Sequence, residues 1–289
     1  MGSSGQGLPA GGWERPAPGV SRVRLPGWDC TAGLVVGTDG ALLVDAGASL
    51  GQGTALRAAA RRLTGGAPVT HLALTHPHFD HVLGAGAFPG AAVLTAAGTA
   101  RELGEARGRD ALYADAVRHG LPPARARRGA DALAALAAPG GPGGPGGPGG
   151  PGGPGGPGDV AGARVAAVPA SPAARWREVG SEPYELDLGG GVRAVLVNAG
   201  PGHTAYDLAV LVRGGDGPPV VFCGDLVEES GPPQAGPDAC PDRWPAALER
   251  LLRLGGEDAL YVPGHGAVVD AAFVRAQRAT LAAAGSPTP

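Results

Sequence analysis

Three of the chain's seven histidines, His76, His78 and His81, fall within six residues and enclose Asp80, in the stretch LTHPHFDHVLGAG. Imidazole and carboxylate at this density suit a borderline cation such as zinc or iron, and a carboxylate can also serve a second ion. His76 and His78, two residues apart in an extended loop, point the same way and can grip one ion. Asp80 and His81 come as the chain turns into a helix and can reach another. Four further candidates end apolar runs: Asp45 in ALLVDAG, His203 in AVLVNAGPGHT, Asp225 in VVFCGD and His265 in LYVPGHG. A histidine-rich loop by itself reads as a solvated surface loop. With the distant residues also at strand ends it reads as one centre, because open α/β sheets place their sites beyond the carboxyl ends of strands.

The elements that must position these residues alternate between two periods. Apolar, β-branched runs predict strands at AGLVVG, GALLVDAG, VTHLALTH, AAVLTA, VRAVLVNAG, DLAVLV, PVVFCGD and ALYVPGHG. Helical spacing predicts helices over 54–63, 99–119, 125–138, 243–254 and 271–284. Runs apolar enough to be buried on both faces, interleaved with helices, indicate α/β layers. Residues 139–158 are six Pro-Gly-Gly triplets closed by Pro157-Gly158, and they divide the pattern into two strand-rich halves. The imino-acid content and length fall short of a triple helix, so the repeat is expected to be a flexible linker within one domain spanning 19–283. Residues 1–18 are expected to form a flexible extension.

Composition narrows the function. The chain has 289 residues, 43% of them hydrophobic and 17% charged, which suffices for a full core. A net charge of −3 provides no field for nucleic acid or an anionic membrane, and no apolar run is long enough to span a bilayer. The opening residues lack the pattern of a secretory signal, and Cys30, Cys223 and Cys240 are too few and scattered for a disulfide framework. These features imply a cytoplasmic protein without a nucleic-acid or membrane partner, with its oligomeric state left open. The absence of lysine and isoleucine reflects a GC-rich, bacterial coding bias.

THPHFDH, followed in order by PGHT, FCGD and VPGHG, resembles the signature of the metallo-β-lactamase fold superfamily, and GLVVGTDGALLVDAG looks like its opening hairpin. The resemblance implies a four-layer αβ/βα sandwich, two mixed β-sheets flanked by helices, with two metals at one edge. It implies that His76, His78 and His203 hold the first metal, that Asp80, His81 and His265 hold the second, and that Asp225 bridges them. Asp45 would orient a ligand histidine from behind. Two zinc ions are implied, with iron or manganese as alternatives. The implied activity is hydrolysis of a small ester, thioester, lactone or amide by a water shared between the metals, oriented by Asp80.

The chain departs from the family's named branches. The secreted β-lactamases of one large group have a cysteine where Asp225 stands and a lysine soon after it; LVEESGPPQAGPDACPDR has no lysine, leaving only Arg243, so a β-lactamase is the less favoured alternative. The glutathione thioesterases use basic residues in a C-terminal helical region, where only Arg275 and Arg278 occur. The runner-up activity is a mononuclear iron dioxygenase of persulfides, using His76, His203 and Asp225. A non-catalytic metal sensor would have lost ligands, and none is lost here. Tyr206 is a candidate substrate contact, with core packing as the competing explanation, and the same choice applies to Trp176 and Trp244.

Overall fold

A computed structural model describes residues 12–137 and 176–284. The Pro-Gly-Gly repeat and most of the expected N-terminal extension lie outside the described residues.

Twelve described strands form two sheets. The first runs in the order β1 (Glu14–Ala17), β2 (Val20–Arg24), β3 (Thr31–Val36), β4 (Ala41–Val44), β5 (His71–Ala73), β6 (Ala92–Ala96) and β7 (Trp176–Val179). The second runs β12 (Leu260–His265), β11 (Val220–Glu228), β10 (Leu208–Arg213), β9 (Arg193–Asn198) and β8 (Tyr184–Asp187). Both are mixed: β4 to β7 pair in parallel, as do β11 and β12, and the other neighbours are antiparallel.

Strand alternation sorts side chains into three cores. On β3 and β4, Leu34 and Leu43 face the helices α1 (Leu50–Leu63), α3 (Thr99–Gly104), α4 (Ala106–Arg118) and α5 (Pro123–Ala137), while Val35 and Leu42 face the second sheet. On β10 and β11, Val210 and Phe222 face inward, and Leu211 and Val221 pack with Trp244, Leu248 and Val274 from α6 (Trp244–Gly255) and α7 (Ala271–Ala284). The result is helix, sheet, sheet, helix. It explains why these strands read as unbroken apolar runs: each is covered on both faces. Each fully buried leucine or valine contributes roughly 1.5–3 kcal/mol. Between the sheets the fit is close at Gly33, where a Cβ would stand 2.3 Å from the Phe222 ring.

Four strands were not expected from the pattern. β1 draws the last part of the expected extension into the first sheet, where Glu14 accepts two hydrogen bonds from the buried Arg22. β7 follows the linker yet completes the first sheet beside β6, so the linker does not divide the two sheets. β2 and β8 are short and of mixed polarity. The single helix expected over 99–119 breaks at Glu105, whose backbone is extended, and Gly108 then packs so closely that a Cβ would meet the Glu102 carbonyl at 1.8 Å.

Candidate metal centre

The first sheet delivers its candidates from one loop. Beyond β5 the chain runs through Thr75 to His76 and His78, then enters the single turn α2 (Phe79–Val82), which carries Asp80 and His81. Asp45, just past β4, ties the loop down from a left-handed backbone position, φ 61°. Its Oδ1 accepts the Thr75 N–H at 2.8 Å, and its Oδ2 accepts the Thr75 hydroxyl at 2.8 Å and pairs with His81 Nδ1 at 2.9 Å. The Thr75 oxygen lies 3.0 Å from His76 Nδ1. With its own proton given to Asp45, that oxygen accepts the Nδ1 proton of His76. Both rings are thereby held through Nδ1, which leaves Nε2 of each facing inward.

The second sheet delivers its candidates from three separate loops. His203 lies in the β9–β10 connection, where Asp207 accepts from the Thr204 N–H and hydroxyl at 3.0 and 2.8 Å and the buried Trp244 ring stands edge-on at 5.4 Å. Asp225 follows Gly224, whose φ of 54° and contact with Thr75 admit no side chain cheaply. His265 ends β12 and turns Nδ1 to the Trp28 carbonyl at 2.9 Å, so a loop of the first half aims a ring of the second. Gly264 leaves room for the Asp225 carboxylate: a Cβ there would fall 1.8 Å from Oδ1.

All seven residues converge. Asp225 Oδ2 lies 3.5 Å from His76 Nε2, 3.4 Å from His203 Nε2 and 3.3 Å from His265 Nε2. Its Oδ1 lies 3.1 Å from His81 Nε2. Asp80 Oδ2 is 3.4 Å from His265 Nε2 and 3.7 Å from His81 Nε2, and His78 Nδ1 is 3.0 Å from His203 Nε2. Donors at about 2.1 Å in a tetrahedral shell stand about 3.4 Å apart, the spacing found here. Two groups of donor atoms, each within 4.8 Å of one another, share Asp225: His76, His78 and His203 on one side, His81 and His265 on the other. His76 Nε2, His81 Nε2, His203 Nδ1 and Asp225 Oδ1 are buried without a hydrogen-bond partner among the described residues. Leaving aside His203 Nδ1, whose ring faces Asp225 through Nε2, such orphaned atoms are costly unless a cation satisfies them, so the donor set fits bound metal.

The two groups differ in electrostatics. Burial, reinforced by His81, drives His76 well below the ordinary histidine pKa, and burial takes His203 down to about 4. Those rings are neutral bases ready to donate. His81 is the reverse: burial opposes its cation, but the carboxylates of Asp225, Asp80 and Asp45 raise it well above the ordinary value. His265 likewise rises to about 9, because Asp225 outweighs its burial. Asp225 itself is held well below the carboxylate range, burial being overcome by His81 and His76. The second group is thus a field that holds positive charge.

Three contributors escaped the sequence reading. Thr75 is adjacent to His76 in sequence and was findable. Asp238, 160 residues beyond His78, accepts from its Nε2 at 3.0 Å and lifts that ring's pKa against burial. Cys30 places Sγ 3.6 Å from His81 Nδ1, behind the ring, and burial pushes its thiol up to about 12. Tyr206 is not drawn into the cluster: its ring lies against Gly98 and the core between the sheets. Trp244 and Trp176 are buried, their indoles donating to the Leu226 carbonyl and the Thr95 hydroxyl. Cys223, two residues before Asp225, faces the core under α6 instead of sharing the aspartate's face, because the strand is irregular after Phe222.

A family model described as the metallo-beta-lactamase superfamily matches residues 25–265. Among solved structures, TMB-1 aligns with a TM-score of 0.59 at 16% identity, over 95% of this chain and 98% of its own. FIM-1 from Pseudomonas aeruginosa, in a mono-zinc form, gives 0.57 at 17% identity over 96% of each chain. A metallo-β-lactamase from Hirschia baltica gives 0.56 at 16% identity, over 93% of this chain and 96% of its own. No curated protein matches. At these identities the neighbours share the fold alone.

Proposed function

Because the chain belongs to the metallo-β-lactamase superfamily, we propose that it is a metal-dependent hydrolase of a small ester, thioester, lactone or amide. The observation carrying this reading is the convergence of seven His and Asp side chains, three of which, His76, His81 and Asp225, turn buried atoms without a hydrogen bond among the described residues into the cluster. His76, His78 and His203 would hold one ion, Asp80, His81 and His265 the other, with Asp225 between them. Zinc suits this mixture of imidazole and carboxylate, with iron or manganese as the alternatives. Two such ions would make a water nucleophilic near neutral pH and polarise the scissile carbonyl.

The chain's own residues do the rest. Asp45 and Thr75 fix the tautomers of His76 and His81. Asp80, with Oδ2 turned to His81 and His265, orients the attacking water and takes its proton. Burial of the cluster beneath the strand ends keeps bulk solvent from competing. Among the described residues no helix is long and apolar enough to cross a membrane. The three cysteines are all free, and a reduced, cytoplasmic setting is part of the same proposal.

A second reading, a mononuclear iron dioxygenase, draws on His76 and His203 lying 3.5 and 3.4 Å from the same oxygen of Asp225. Elemental analysis of protein purified without added metal separates the two. About two zinc ions per chain are expected for the hydrolase; close to one iron with little zinc moves the assignment to the dioxygenase. Asp80→Ala and His265→Ala are each expected to lose the second ion and abolish turnover in a folded chain. Full activity in either variant would sink the two-metal mechanism.

A further inference from the structure

At the end of the first sheet opposite the centre, the surface opens into a cavity of about 490 Å³ that the proposed reaction does not use. Its floor is apolar, formed by Val69, Phe88 and Ala91, all buried. Val69 and Ala91 stand just before β5 and β6, whereas the ligand loop leaves β5 past Ala73, at the strand's far end. Pro68 and Pro89 flank that floor, and α1 supplies the remaining wall through Thr54, Arg57 and Arg61. Pockets for small molecules span about 300–1,000 Å³ and combine an apolar lining with a few fixed polar groups, as this one does.

The charged groups of the cavity are all of one sign. Arg57 and Arg61 stand one turn apart on α1, and no residue lining the cavity is acidic. Arg57 donates from Nη1 to the Ala87 carbonyl at 2.8 Å, which anchors the guanidinium beside the floor and leaves its other donors without a partner among the described residues. The Arg61 side chain makes no hydrogen bond or ion pair among the described residues. The neighbouring basic helices α4 and α5 are matched differently: Arg109 faces Asp131, Arg118 faces Asp115 and Arg127 faces Asp110. No residue of α1 is acidic. A place in the last turn suits Arg61 to the helix dipole, but Arg57 lies mid-helix, where a like charge four residues away is unfavourable. An anion seated between the two guanidinium groups relieves that repulsion.

We propose that this cavity binds a small aromatic carboxylate, its carboxylate held by Arg57 and Arg61 and its ring laid on Val69, Phe88 and Ala91. The site is independent of the reaction at the metal centre. The test is calorimetric titration of the full chain with 2-naphthoate, with its neutral counterpart 2-naphthamide, and with acetate, which has the charge without the rings. Naphthoate should bind at one site, about tenfold more tightly than either of the others, the effect of one partly desolvated ion pair or of the apolar contact. The double variant Arg57→Gln, Arg61→Gln should erase the preference over naphthamide. Ala58→Glu should do the same with both arginines kept, because it sets a carboxylate beside them on α1. All three positions are exposed, so melting temperature and metal content, measured alongside, should stay unchanged; should one variant fail to fold, the other decides. Carboxylates also ligate metals, and naphthoate bound at the metal centre would be untouched by these variants, so a preference that persists in them overturns the proposal. Equal affinity for naphthoate and naphthamide, equal affinity for naphthoate and acetate, or no binding of naphthoate at millimolar concentration would each overturn it as well.

Discussion

The two sheets build one centre by different means. The first supplies His76, His78, Asp80 and His81 from one short loop, and a single buried carboxylate, Asp45, holds two of those rings. The second supplies His203, Asp225 and His265 from three loops, each with its own support: Asp207 and Trp244 behind His203, two glycines beside Asp225, and the Trp28 carbonyl behind His265. A shared anchor concentrates risk, and separate anchors distribute it. The centre's tolerance of substitution should therefore be lopsided.

Asp225 lies outside that contrast because both groups share it, and its loss should have the largest effect. Asp225→Ala is expected to lower metal content at both positions and cut kcat/KM by more than about a hundredfold, beyond the range for supporting residues. Dialysis followed by elemental analysis, with kinetics on any substrate found, checks it; two retained ions would break the scheme. Next comes the shared anchor. Asp45→Ala should weaken metal binding at both positions by roughly 10- to 100-fold. It should also destabilise the fold by about 1–3 kcal/mol, since the buried Thr75 N–H loses its acceptor. Weakening at one position only would refute the sharing.

A separate anchor should act locally. Asp207→Ala leaves the Thr204 N–H and hydroxyl proton without an acceptor, at a cost of about 1–3 kcal/mol, and loosens His203 alone. Titration with zinc should then show one weakened and one unchanged site, and two weakened sites would mean the loops are coupled. Asp238→Asn, at a half-exposed residue, should cost less than about tenfold at the His78 position, within the lower part of the range for outer partners.

The smallest effect on the centre should come from a histidine outside it. His71 is buried in β5 beside Thr70, and burial takes its pKa down to about 4. The unfolded chain, with a histidine pKa near 6.5, binds the proton more readily, so stability is full above about pH 6.5 and falls as pH drops toward 4, by at most about 3 kcal/mol. His71→Asn should flatten the dependence of melting temperature on pH across that window and leave metal content unchanged. An unchanged slope would show that the acid sensitivity belongs elsewhere.

Legibility followed the same contrast. Local signals were plain where chemistry and element coincide: the dense His/Asp loop after an apolar run, and the apolar runs themselves, which stay apolar because both faces are covered. β1, β2, β7 and β8 gave no such signal, being short or mixed in polarity, and β7 is separated from its neighbour β6 by the whole linker. The break at Glu105 was hidden because helical periodicity continues across it. Thr75 sat in plain view beside His76, whereas Asp238 meets His78 only through the return of the loop before α6.

The sequence by itself determined the donor types, their order at strand ends, the layered α/β class and the resemblance that ties them together. Those properties are local, set by side-chain chemistry and by periods of two and 3.6 residues. Tertiary structure alone decided that Asp225 stands between two groups of nitrogens and that Trp28 aims His265. These depend on distances between segments far apart along the chain and on the irregularity in β11, which strand alternation read from the sequence does not show.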